Sequence, residues 1–163
     1  MYKEISNEML SFLQKSPSAF HAVDNIKNEL KKENYEELLE GQNWNIKPGG
    51  KYFVTRNNSS IIALNLGKNL DHYGFNVVAS HTDYPTFKIK ENAEIEVKGK
   101  YTQLNTEGYG GMLCATWFDR PLSIAGRVIV KEGNQFVTKL INIDRDLVLI
   151  PNMAIHMNRA VNE

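Results

Sequence analysis

The sequence predicts an α/β chain, α+β in the order of its elements, and three observations carry that prediction. Apolar residues recur at helical spacing through the first 32 positions, extended alternation replaces that period from Trp44 onward, and residues 75–80 are mostly apolar on both faces. Helices therefore come first and strands dominate afterwards.

Ile5, Met9, Phe12 and Leu13 define a short first helix, which should stop at Ser16-Pro17. Ser16 is then expected to cap a second helix with Pro17 at its first position, and Ala19, Val23, Ile26 and Leu30 carry its buried stripe to about Lys32. Lys27, Asn28, Lys31 and Lys32 read as its solvated face, and Glu36-Glu37 as part of a solvated loop. Tyr52-Phe53-Val54-Thr55 and Ile61-Ile62-Ala63-Leu64 flank the turn-rich Asn57-Asn58-Ser59-Ser60 and predict a hairpin. Phe75 to Ser80 should form a strand buried in the middle of a sheet, ending at His81. Alternation in residues 86–90 and 95–98, then in 123–130 and 136–143, predicts four further strands, with Gly108-Tyr109-Gly110-Gly111 as a turn. A seam near Lys90 divides the chain into two expected units, 1–90 and 91–163.

Composition narrows the function classes. The chain has 163 residues with 42% hydrophobic side chains, enough for a folded core rather than a disordered tract. Its 19 Lys+Arg balance 19 Asp+Glu, so the basic excess needed to hold nucleic acid or an anionic membrane is missing. The N-terminal residues lack the apolar run of a signal peptide, and no stretch approaches about 18 consecutive apolar residues. With Cys114 the only cysteine, a reducing, cytoplasmic location is the expectation, and any metal must be held by His, Asp or Glu.

Ser80-His81-Thr82-Asp83-Tyr84-Pro85 is the stretch richest in chemistry. His81 leaves the carboxyl end of the expected central strand, where open α/β sheets place ligands. Asp83, two residues on, can orient its imidazole from behind, as metal-bound histidines require. The spacing alone suits a metal ligand or a hydrogen-bonded structural histidine. Ser80, Ser123 and Cys114 lack a base in a recognisable nucleophile context, and Trp117 and Phe118 read as core or interface anchors, with Asp119-Arg120 as an ion pair beside them.

Five stretches in one order, residues 16–23, 79–90, 109–112, 116–128 and 150–157, closely resemble the M18 family of metalloaminopeptidases, which includes aspartyl aminopeptidases and the vacuolar aminopeptidase I type. The resemblance covers essentially the whole chain. It implies part of an α/β metallopeptidase sandwich over residues 1–90, followed by part of an inserted β-rich assembly domain over 91–163. It implies removal of N-terminal residues from peptides by two divalent metal ions, usually zinc, with cobalt or another divalent ion as alternatives, in a homo-oligomer.

Residue by residue, the resemblance makes His81 the first metal ligand and Asp83 the acid that orients it. His156 corresponds to a histidine that reaches the substrate site of a neighbouring subunit; by its sequence context alone it reads as structural. The family's bridging Asp, Glu-Glu pair, further acidic ligand and final His have no counterpart before Glu163. Catalytic zinc needs about three protein ligands plus an open position. The expectation is an N-terminal portion of an aminopeptidase, inactive alone; the alternative is a non-catalytic assembly module derived from that fold.

Overall fold

A computed structural model describes residues 2–69, 74–157 and 159. They form two compact units, one of residues 1–83 with 125–142 and the other of 84–124 with 143–163.

The first unit begins with helices α1 (Tyr2–Gln14) and α2 (Ala19–Lys32). The N-cap of α2 is Ser18 rather than Ser16: its backbone is extended and its Oγ accepts from the His21 N–H. Ser16 is instead buried, and its Oγ accepts from Asn25 Nδ2 at 3.0 Å. Residues 16 and 18 are both serines near a proline, and only the path of the chain decides which one caps. Ala22 and Val23 are the buried residues of α2.

A three-stranded sheet follows, with β1 (Glu36–Leu38) parallel to β2 (Lys51–Arg56), and β2 antiparallel to β3 (Ser60–Asn65). The expected hairpin is therefore present. Asn57 and Asn58 both adopt left-handed φ, +53° and +51°, and Ser59 N–H closes the turn onto the Arg56 carbonyl at 3.1 Å. Mirror-image turns of this kind match the strand twist, and asparagine tolerates the conformation better than most residues.

The core of this unit is small. Phe53 and Val23 are fully buried, and Leu38, Tyr52 and Leu66 form a cluster with Val54 and Leu64 packed against it. The Tyr52 hydroxyl accepts from the Lys47 N–H at 3.0 Å. Gly50 lies so close to that ring that a Cβ would stand 2.6 Å from Tyr52 Cζ, hence the glycine.

Two further expectations fail in this unit. Glu36-Glu37 is no solvated loop: it opens β1, and the Glu37 carboxylate is bound by Lys27 at 2.7 Å and Lys31 at 2.9 Å, two lysines of the face expected to be solvated. Residues 75–80 form no strand, and Phe75, Val77 and Val78 are 78%, 80% and 98% exposed. A run apolar on both faces becomes a strand only when neighbours on either side complete its ladder. Among the described residues none pairs with it.

Strands β4 (Thr86–Val97) and β5 (Tyr101–Tyr109) open the second unit as a long antiparallel hairpin. The two alternating stretches expected there are one strand, interrupted where the register shifts between Ile89 and Glu94. Strand β5 was not predicted, because Thr102-Gln103 and Asn105-Thr106-Glu107 hide its period behind polar side chains. A 3₁₀ turn at Cys114–Trp117 leads into β6 (Pro121–Leu122). Trp117 meets Phe87 edge to face, with ring centres 5.5 Å apart, in keeping with an anchoring role. The expected Asp119-Arg120 ion pair is replaced by backbone contacts: Asp119 Oδ1 accepts from the Asn152 N–H at 2.9 Å, and Arg120 donates to the Thr116 carbonyl at 3.4 Å.

The strands expected at 123–130 and 136–143 are β7 (Ala125–Glu132) and β8 (Gln135–Asn142), which belong to the first unit and pair antiparallel as a hairpin. Gly133, at φ +61°, occupies its turn. In the second unit β9 (Val148–Leu149) pairs with β6. No helix among the described residues is long and apolar enough to cross a membrane, which says nothing of a β-barrel.

Candidate functional site

His81 stands on an irregular segment of the first unit, its side chain 89% exposed. Its Nδ1 lies 3.0 Å from Asp83 Oδ1. An ionised carboxylate only accepts, so the neutral ring donates through Nδ1–H and turns its Nε2 lone pair away from Asp83. The two residues expected to act as ligand and orienting acid are thus brought together with the polarity a metal-binding histidine needs. Burial raises the neighbouring Tyr84 phenol above its ordinary pKa.

Thr82, between the two, is half-buried and donates from Oγ1 to the Ser59 carbonyl at 2.7 Å. The turn that offers this carbonyl is held from elsewhere in the same unit. Arg127 of β7 donates through Nη1 to both the carbonyl and Oδ1 of Asn57, each at 2.9 Å, while its guanidinium lies 4.1 Å from the Phe20 ring centre. Sequence reasoning missed both Thr82 and Arg127. The contacts span 23 and 70 positions, and no local pattern announces them.

The third expected residue, His156, is exposed on the 3₁₀ turn Ile155–Met157 of the second unit. The segment leading to it is fastened by the Asp119 N–H, which donates to the Ile150 carbonyl at 3.0 Å. A histidine of the first unit that sequence reasoning left aside, His21, has its Nδ1 2.7 Å from Ser18 Oγ, and burial lowers its pKa against the opposing charge of Asp24. That partner assigns it to the cap.

The donor set suits one position on a zinc ion. No group of three or more His, Cys, Asp or Glu that could enclose a metal occurs among the described residues. A catalytic zinc site takes about three protein ligands, so these residues fit a single ligand with its orienting acid and not a whole centre.

Residues 12–163 match the family described as aminopeptidase I zinc metalloprotease (M18). A probable M18 family aminopeptidase 2 of Clostridium novyi is 50% identical over 163 residues, covering 98% of this chain and 38% of the relative. Among solved structures, a cryo-EM complex of Ape4 and Nbr1 superposes with a TM-score of 0.90 at 41% identity, covering 98% of this chain and 31% of that one. The Saccharomyces mApe1 dodecamer gives 0.83 at 30% identity, covering 95% and 37%. The chain spans about a third of the length of these proteins. By the match over nearly all its residues and by a fold shared with these structures, the chain belongs to the M18 family of aminopeptidase I zinc metalloproteases.

Proposed function

We propose that this chain is an N-terminal portion of a metal-dependent aminopeptidase that removes N-terminal residues from peptides, and that it is inactive alone. In this reading His81 supplies one ligand to a pair of divalent ions, zinc in the first place and cobalt as a working substitute, and Asp83 holds its ring. His156 serves the substrate site of a neighbouring subunit. Bound zinc would supply Lewis-acid polarisation and an activated water. What these residues themselves do is fix the imidazole through Nδ1, which would leave Nε2 to hold the ion.

The observation that supports this most directly is the Asp83-anchored ring, with Nδ1 engaged at 3.0 Å and the remainder exposed. Residues 1–90 would belong to the catalytic sandwich and 91–163 to an inserted assembly domain. A homo-oligomer is part of the reading because a solved relative is a dodecamer. A cytoplasmic location fits the exposed free thiol of Cys114.

The intact mass and the peptidase activity of the native gene product test the reading together. A mass far above 18.6 kDa, with zinc- or cobalt-dependent release of N-terminal residues that His81→Ala abolishes, is the expected result. Metal-dependent peptidase activity in the pure 163-residue chain would overturn the claim of inactivity. A native mass equal to that of the chain would instead favour a non-catalytic assembly module, since no three-ligand cluster exists among the described residues.

A further inference from the structure

We propose that Thr82 is a positioning residue for the His81–Asp83 pair, and that Arg127 locks the turn on which Thr82 rests. The proposal rests on the reading of His81 as a metal ligand and adds the residues that hold it in place.

The pair has a mechanical difficulty. His81 is 89% exposed, and the segment 74–85 joins no strand or helix ladder. A single hydrogen bond to a carboxylate, with the ring in water, is worth little net free energy by itself. A restraint on the backbone between them adds to what that contact supplies. Thr82 is the single residue separating ligand from acid, and its hydroxyl donates to the Ser59 carbonyl at 2.7 Å. That one bond restrains both flanking residues, because Cα of 81 and of 83 are each joined to Thr82 by one rigid peptide plane.

The carbonyl is useful only if it stays fixed. It belongs to a turn whose two central residues are asparagines at positive φ, a conformation that L side chains enter at a cost. Arg127 holds that turn from outside by two bonds to Asn57 at 2.9 Å. Phe20, at the start of α2, holds Arg127 in turn with its ring 4.1 Å beneath the guanidinium. Helix α2, the β2–β3 hairpin and strand β7 thus converge on one turn, which offers its Ser59 carbonyl to Thr82. Lysine is a poor replacement for this arginine, since its compact ammonium cannot lie flat on the Phe20 ring while it reaches Asn57.

The test reads the proton on His81 directly. The 163-residue chain is labelled with ¹⁵N-histidine and its imidazole shifts are recorded by magic-angle-spinning NMR at a pH where the rings are neutral; this works whether or not the chain associates. His81→Gln identifies the signals. Wild type and Thr82→Ser should carry the His81 proton mainly on Nδ1. Thr82→Val should shift the Nδ1–H to Nε2–H ratio roughly fivefold toward Nε2–H, the amount one net hydrogen bond is worth. Arg127→Met should move it the same way by roughly twofold, because the turn keeps its own closing bond, and Arg127→Lys should not restore it. An unchanged ratio in Thr82→Val overturns the proposal while leaving Asp83 as the orienting acid. A wild-type proton on Nε2 overturns the ligand reading itself. His21, held by Ser18, reports whether each variant stays folded; its loss in Thr82→Val would make the role global and equally overturn the proposal.

Discussion

Replacing Glu37 by Gln removes one charge from a cluster that ties α2 to β1. Lys27 and Glu37 keep only 20% and 23% of their side-chain surface in water, whereas Lys31 keeps 52%. The Lys27 bond at 2.7 Å therefore carries most of the stabilisation, and the more exposed Lys31 bond at 2.9 Å is screened. Together they are worth about 1–2 kcal/mol, above one exposed pair and below two buried charge-assisted bonds. With a urea dependence of about 1–3 kcal/mol per molar, the variant's unfolding midpoint should fall by roughly 0.5–1 M at pH 7, followed by circular dichroism.

The effect should depend on pH with a definite sign. Burial pushes the Glu37 carboxyl upward, but hydrogen bonds and charge from Lys27 and Lys31 outweigh it and hold the pKa below the ordinary value. A pKa lowered by folding means the unfolded chain binds the proton more readily. The stabilisation is then whole above the unfolded pKa and drains as pH falls through the folded one. The gap between wild type and Glu37→Gln should start to narrow as pH falls past the ordinary glutamate value of about 4.3 and go on narrowing below it. Equal midpoints at pH 7, or a gap that persists undiminished at pH 3, would refute the reasoning.

Two further outcomes follow from packing. Phe53→Ala should cost about 3–5 kcal/mol, since the ring is fully buried beneath α2 and leaves a cavity; retention of a wild-type urea midpoint would show that this core is not what holds the first unit together. The free 163-residue chain should self-associate through Phe75, Val77 and Val78, which stand 78–98% exposed, and sedimentation should show species heavier than 18.6 kDa that Val77→Lys with Val78→Lys diminishes. A monodisperse monomer would contradict it.

Local signals in the sequence were reliable where the element's own residues determine it. Helices α1 and α2 follow from apolar spacing, the β2–β3 hairpin from two apolar runs around an Asn-bearing turn, and strands β7 and β8 from their alternation. The His81–Asp83 contact was legible for the same reason: two residues apart, their side chains need only a bend to meet. The cap of α2 shows where legibility ends, because Ser16 and Ser18 offer the same hydroxyl and the chain path alone chooses. Strand β5 was hidden because its partner, rather than its own apolar period, makes it a strand.

The sequence by itself determined the family, the mixed α/β class and the His81–Asp83 contact, since each rests on residues close together in the chain or on motifs in a fixed order. Only the tertiary structure decided that Glu37 is clasped by two lysines, that Phe75 to Ser80 lies bare, and that Thr82 leans on a turn held by Arg127 from 70 positions beyond Asn57. The physical reason is one of range. Periodicity and turn chemistry act over a few residues, whereas the partner that satisfies a charge, a carbonyl or an apolar face is brought up by the packing of distant elements.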